Sequence, residues 1–388
     1  MKHIYLDNSA TTALCQSAKD KLLLSADLFG NPSSLHGAGR AAAAMLNEAR
    51  DAVARSLGLR ALSRGELIFT SGGSEADSTA LLGVAHAKAR RDRNKIITTD
   101  AEHAAVENVM QQLESEGFEV VRISTRGGVL DTEQLDRALD RRVLLVSIMM
   151  VNNETGALYD LKKAFAKAKA VDRAIVTHTD AVQGYLKVPF TPAAIGADLV
   201  SLSAHKVHGP KGVGALYISP ALLKAKQIVP FLLGGGQEFG LRSGTENTLG
   251  IAAFGAAVAR LYPRMGEDTA RMSALRRDAA ERLTGLGIAV KAPEGAVAPH
   301  ILNITLPDIK SETMLHFLDA RGICVSSGSA CSTHARHVSR ALLAFGCTER
   351  EADCSLRISL CPDNTAEDID ALVDALGAGL DTLIRIRK

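Results

Sequence analysis

Short apolar runs recur at regular intervals through the first two-thirds of the chain, separated by segments whose apolar residues fall at helical spacing. Residues 66–70, 95–98, 119–123, 143–148, 174–177, 198–202 and 214–218 are rich in β-branched and aliphatic side chains, which predicts strands. Residues 75–92, 104–116, 131–140 and 161–172 carry helix formers with apolar positions near a 3.6-residue period. Strand–helix alternation of this kind predicts an α/β fold, with a mainly parallel sheet flanked by helices.

After about residue 255 the rhythm changes. A long helical stretch (266–286) precedes a strand (301–305), a helix (311–320) and a short strand (323–325). Then come a helix (338–345), a strand (356–360) and a final amphipathic helix from about 365. Fewer strands with helices to one side predict a smaller α+β domain, without a long linker or an internal repeat.

Composition narrows the class. Aromatic residues are 4% and tryptophan is absent, so aliphatic residues and alanine do most of the packing. The 45 basic and 43 acidic residues leave a formal charge of +2, which argues neither for direct nucleic-acid binding nor for an anionic membrane surface. The cluster Arg90, Arg91 and Arg93 reads as a solvated helix end. No apolar run of membrane-spanning length occurs, and the N-terminus lacks a signal-type apolar core. The cysteines at 15, 324, 331, 347, 354 and 361 form no C-x-x-C pair, so a reduced, cytoplasmic setting is expected.

Four features with chemical potential fall at the carboxyl ends of predicted strands, where open α/β sheets bind ligands. Thr70-Ser71-Gly72-Gly73-Ser74-Glu75 leads from a strand into a helix, where Gly73, Ser74 and the unpaired helix N–H groups can cradle a phosphate. A plain glycine turn with Ser74 as helix cap is the other reading. Lys206, in Ser203-Ala204-His205-Lys206, is placed to form a Schiff base with an aldehyde cofactor, with Ser203 and His205 as phosphate donors; most lysines before a turn are simply surface residues. Asp180, in Thr179-Asp180-Ala181-Val182-Gln183, can pair with a protonated pyridine nitrogen or cap a helix. His103 can stack on a planar ring or be a polar helix-start residue. Neither a G-x-G-x-x-G dinucleotide fingerprint nor a P-loop occurs in place of these features.

With these residues in view the chain resembles the cysteine desulfurases of the NifS/IscS kind, in the class V aminotransferase group of fold type I pyridoxal-phosphate (PLP) enzymes. The resemblance rests on Tyr5-Leu6-Asp7-Asn8-Ser9-Ala10-Thr11-Thr12, Phe29-Gly30-Asn31-Pro32-Ser33-Ser34, Val151-Asn152-Asn153-Glu154-Thr155-Gly156, Ser203-Ala204-His205-Lys206, Arg242-Ser243-Gly244-Thr245 and Ser326-Ser327-Gly328-Ser329-Ala330-Cys331. It implies a large PLP-binding domain over 16–258 and a small domain over 1–15 and 259–388. It also implies that Lys206 holds the cofactor, Asp180 meets the pyridine nitrogen, His103 stacks on the ring and Gln183 bonds its phenolic oxygen. Gly73, Ser74, Ser203 and His205 would hold the phosphate, with Thr245 entering from the second subunit of a homodimer. Arg357 and Asn153 would bind the carboxylate of L-cysteine. Cys331 would take the sulfur as a persulfide, for delivery to an acceptor protein such as an iron–sulfur scaffold or a tRNA-thiolation enzyme.

The chain departs from the family pattern in Ser74, where threonine is usual, in Asp77-Ser78, and in a basic stretch after Cys331 containing His334, Arg336 and His337. A PLP aminotransferase or a selenocysteine lyase is the alternative on the same fold. A metal module built from Cys331, His334, His337 and Cys347 is the rival from another class. The other cysteines read as structural.

Overall fold

The computed structural model describes residues 3–327 and 338–384. Its main sheet has seven strands: β1 (Leu67–Thr70), β2 (Lys95–Thr99), β3 (Glu119–Ile123), β4 (Val143–Ser147), β5 (Val176–Asp180), β6 (Leu199–Ser203) and β7 (Gly214–Ile218). Their order across the sheet is β1-β7-β6-β5-β4-β2-β3. Successive residues of one strand face opposite cores: Ile96 and Leu216 belong to one, Ile97 and Ala215 to the other. Both faces of the inner strands are therefore buried, which is why several of them read as apolar runs in the sequence, whereas the edge strand β3 is only partly covered.

Six of the strands run in one direction, and β7 runs against both of its neighbours. The link from β6 to β7 is too short for a crossover helix, so the chain turns back beside the strand it has just left. The six parallel strands bring their carboxyl ends to one edge.

The observed β5 is displaced from the expected 174–177. It begins at Val176 and carries the polar sequence Val-Thr-His-Thr-Asp through a fully buried strand. Such a strand is tolerated because His178 is bonded on both sides, to Ser147 Oγ at 2.8 Å and to Ser201 Oγ at 3.0 Å. Asp180 is thus the last residue of the strand and not a helix cap. The helix expected over 75–92 is Gly73–Ala85, followed by a short 3-10 turn at Lys88–Arg90. Three long helices lie outside the expected ones, Gln16–Ala26, Gly37–Ser56 and Thr248–Leu261, as do the short helices Pro192–Ile195, Pro220–Lys224 and Glu349–Asp353. Of the long ones, the last two approach so closely that a Cβ at Gly255 would lie 2.6 Å from Ala49 Cα.

The C-terminal third forms a four-stranded antiparallel sheet from Ala289–Val290, Ile301–Thr305, Ser326–Ser327 and Ser355–Ser359, packed against helices Met265–Gly285, Ser311–Asp319 and Ala366–Thr382. These elements share their own apolar core with Ile4 and Leu6. The chain start is tied in by pairing of Ile4–Tyr5 with Ile323–Cys324 and by a bridge from Asp7 to Ser359. No helix among the described residues is long and apolar enough to cross a membrane.

Candidate active site

The carboxyl edge of the main sheet and the small sheet enclose a cavity of about 420 Å³. Its lining includes Gly73, Ser74, His103, Asn153, Asp180, Gln183, Ser203, His205, Lys206 and Arg357, ten of the twelve residues singled out in the sequence. Thr245 is exposed and does not line the cavity. Cys331 lies outside the described residues, as do His334, Arg336 and His337.

Each element delivers its residue for a local reason. The helix Gly73–Ala85 starts directly after β1, with Gly72 and not Ser74 at its cap position, so the Ser74 hydroxyl remains available to the cavity. Gly214 lets this turn lie against β7, because a Cβ there would meet the Gly72 carbonyl carbon at 2.5 Å. Opposite the turn, the Ser203 hydroxyl is buried without a hydrogen-bond partner, and a Cβ on Gly73 would stand 4.0 Å from it. His103 caps the helix Ala104–Ser115 by accepting from the Ala105 N–H through Nδ1 at 3.1 Å. A neutral ring fixed this way carries its proton on Nε2.

Lys206 sits on a 3-10 turn, Ala204–Lys206, immediately after β6. Its Nζ donates to the carbonyls of Ser9 at 2.6 Å and Ala10 at 2.7 Å. The same N-terminal segment holds the turn itself: His205 Nδ1 meets Thr11 Oγ1 at 3.1 Å, and the Thr12 N–H and hydroxyl both donate to the His205 carbonyl. Burial, followed by the charges of Lys206 and Lys187, pushes His205 down to about 4, so its imidazole is neutral.

Three carboxyl groups converge here, Asp77 from the helix Gly73–Ala85, Glu102 from the loop after β2 and Asp180 from the end of β5. Burial raises Asp180 above its ordinary range, against the opposing pull of His103, the Val182 N–H and Lys206. Burial, and then the Asp180 charge, drives Asp77 well above its ordinary range. Burial takes Glu102 up to about 8, although its Oε1 accepts from the Met149 N–H at 2.9 Å and Thr99 Oγ1 at 2.7 Å. Neighbouring buried carboxyls resist ionising together, so a cation in this cavity would be strongly favoured.

On the far wall, Arg357 is buried and extends from the small sheet. Its Nη2 donates to Asp7 Oδ1 at 2.7 Å and its Nη1 to the Asn153 carbonyl at 3.1 Å, while Nε is buried without a partner. Sequence reasoning assigned no role to Asp7, Ser9, Asp77, Glu102 or the fork of Arg242 on Glu75, with bonds of 2.7 and 3.1 Å, that ties the loop before Thr245 to the cradle helix. The N-terminal run Asp7–Thr12 was visible there as a motif, but its partners lie about two hundred or more residues away and only folding reveals them.

The match to known proteins runs almost end to end. A family model described as aminotransferase class-V covers residues 4–372. A cysteine desulfurase of Cereibacter sphaeroides is 41% identical over 99% of this chain and 97% of its own length. The cysteine desulfurase IscS of Clostridium botulinum is 38% identical over 97% of this chain and 94% of its own. Among solved structures, a NifS-like protein superposes with a TM-score of 0.91 at 35% identity, over 98% of this chain and 100% of that one. SspA in complex with cysteine superposes with a TM-score of 0.79 at 31% identity, over 93% and 99% of the two chains. The chain belongs to the class-V aminotransferases and, among them, to the cysteine desulfurases.

Proposed function

We propose that this protein is a PLP-dependent cysteine desulfurase that converts L-cysteine and an enzyme thiol into L-alanine and an enzyme persulfide. The observation that carries the reading is the single cavity in which Lys206, Asp180, His103, the Gly73–Ser74 turn and Arg357 meet. The residues fit the cofactor. The helix start, the unpartnered Ser203 hydroxyl and neutral His205 suit a phosphate, and the buried Asp180 suits a pyridinium.

Bound there, PLP supplies an electron-withdrawing ring that makes the substrate Cα–H acidic and its Cβ–S bond cleavable. Lys206 would hold the cofactor and, once released, move the proton to and from Cα through its Nζ. Asp180 would keep the ring nitrogen protonated, and His103 would cover the ring and present Nε2–H to the reacting sulfur. Gln183 would face the phenolic oxygen, while Gly73, Ser74, Ser203 and His205 would grip the phosphate. Arg357, with Asn153, would orient the substrate carboxylate.

The acceptor of sulfur would be the Cys331 thiolate. Ser326 borders the cavity, and Cys331 follows five residues later, within a reach of about 18 Å. Attack on the substrate sulfur forms the S–S bond and breaks Cβ–S. The carbon keeps the electron pair, takes a proton and leaves as alanine, so atoms and electrons balance.

A homodimer is part of the same proposal, with Thr245 completing the phosphate site of the partner. Phe29, Leu35 and Leu233 are exposed at 85%, 90% and 78% in the single chain, an unusual display of large apolar side chains that a second copy would cover. Delivery of the persulfide sulfur to an iron–sulfur scaffold or a tRNA-thiolation enzyme completes the reading.

Incubation with L-cysteine followed by mass spectrometry of the Cys331 peptide tests it. One added sulfur atom is expected, together with alanine release, and neither in Cys331→Ala. A Cys331→Ala enzyme that still forms alanine and sulfide at the wild-type rate would refute the persulfide role and favour the alternative chemistries of this fold.

A further inference from the structure

Behind the cavity floor lies a charged group that the reaction described above does not use. Lys187 is buried, and among the described residues no carboxylate forms an ion pair with it. Its Nζ points at Gln183 Oε1 from 3.5 Å, and His300 Nε2 approaches the same oxygen from 3.4 Å. The other end of the Gln183 amide, Nε2, donates at 2.9 Å to the Ser9 carbonyl, which also receives the Lys206 ammonium. A carboxamide has one accepting and one donating end. Turning Gln183 over would set its N–H groups against an ammonium and leave the Ser9 carbonyl facing an oxygen.

We propose that Lys187 is a positioning residue: it orients the Gln183 amide with its N–H end toward the Ser9 carbonyl at the cofactor site and sets a positive charge behind Lys206. The inference rests on the cofactor reading given above. The titratable groups facing Lys187 are Lys206 and Cys361, with His205, His208 and His300 also within its field. Burial, and then the Lys206 charge, lowers Lys187 to about 7, with Cys361 opposing, so its charge changes near neutral pH. The nearby donor set His208, Cys361 and Asp363 does not answer as a cation site. Lys187 bears on its His208 and Cys361, and Arg260 lies 3.7 Å from Asp363, so both neighbours repel a metal ion.

A cation beside Lys206 disfavours a proton on the nitrogen that joins this side chain to the cofactor. In Lys187→Met holoenzyme the pH midpoint of the visible absorbance of the bound cofactor should rise by about one unit. Gln183→Leu should shift it as well, and the double variant should fall short of the sum of the two shifts. A midpoint within about 0.2 unit of wild type in folded, cofactor-loaded Lys187→Met overturns the inference. Should that variant fail to fold or load, wild type alone decides. The nitrogen joining Lys206 to the cofactor and the Lys187 amine interact and so titrate in two macroscopic steps; a two-step absorbance titration is expected, and a single-proton curve overturns the inference. A wild-type protein that binds no PLP at Lys206 would instead refute the cofactor reading itself.

Discussion

Arg357 and Asp7 are joined by a 2.7 Å bond across almost the whole length of the chain, from the last strand of the small sheet to the N-terminal segment. The bond does more than close the chain. It holds a guanidinium at the wall of the cavity with its Nε unpartnered and its second amino group on the Asn153 carbonyl. A planar fork held on two sides is prepared for a carboxylate before the substrate arrives.

Arg357→Lys should therefore lower kcat/KM for L-cysteine by about 100-fold, because lysine cannot reproduce the fork. Asp7→Asn should act through the arginine. It should raise KM by about 3- to 10-fold with a smaller change in kcat, since a neutral partner still accepts the bond but holds it less firmly. Steady-state kinetics on both variants checks the order, and a larger KM effect from Asp7→Asn would contradict it.

Lys206→Ala should abolish turnover and remove the covalently attached cofactor. The Ser9 and Ala10 carbonyls that receive the ammonium belong to backbone and remain in place. Mass spectrometry after borohydride reduction should find the cofactor on the wild-type peptide and nothing on the variant; wild-type turnover in the variant would refute the assignment.

Glu238→Gln should destabilise the protein by about 3 kcal/mol. Glu238 is buried against Arg50 with two bonds of 2.8 Å and also accepts from the Phe69 N–H at 2.9 Å. Removing its charge leaves the Arg50 cation uncompensated between the rings of Phe69 and Phe239. Urea denaturation measures the loss, and a change below about 1 kcal/mol would show that the aromatic faces suffice.

Glu102 gives a pH dependence of definite sign. Its folded-state value, about 8, lies above the ordinary glutamate value of 4.5, so the folded protein binds the extra proton between these limits. Stability should fall as pH rises through that window and level off above it. Glu102→Gln keeps the oxygen that serves Met149 and Thr99 and cannot ionise. In cofactor-free protein its stability relative to wild type should improve steadily from pH 5 to about 8, which urea titrations at several pH values would show. A constant difference across that range would mean that Glu102 is not the titrating group.

Much of this architecture can be read from local pattern. A strand buried along its whole length favours apolar residues, so β7 stands out at its observed limits, and glycine turns and polar residues at strand ends mark where a ligand is approached. Lys206, Asp180, His103 and the Gly73–Ser74 turn were legible for that reason, and the resemblance added Gln183, Asn153 and Arg357. The displacement of β5 was not legible, because nothing adjacent in sequence announces that His178 would be satisfied by Ser147 and Ser201 on neighbouring strands. The antiparallel course of β7 was hidden in the same way, since an apolar run carries no direction.

Tertiary structure alone decided the charge state and orientation of the site. The desolvation that neutralises His205 and raises Asp77 and Glu102 depends on what packs over them, and burial is a property of the fold and not of a motif. The same holds for the hand-over from Lys187 through Gln183 to the Ser9 carbonyl beside Lys206. Residue types and strand ends are encoded locally, whereas hydrogen-bond partners and electric fields arise only when distant segments are brought within a few ångströms of one another.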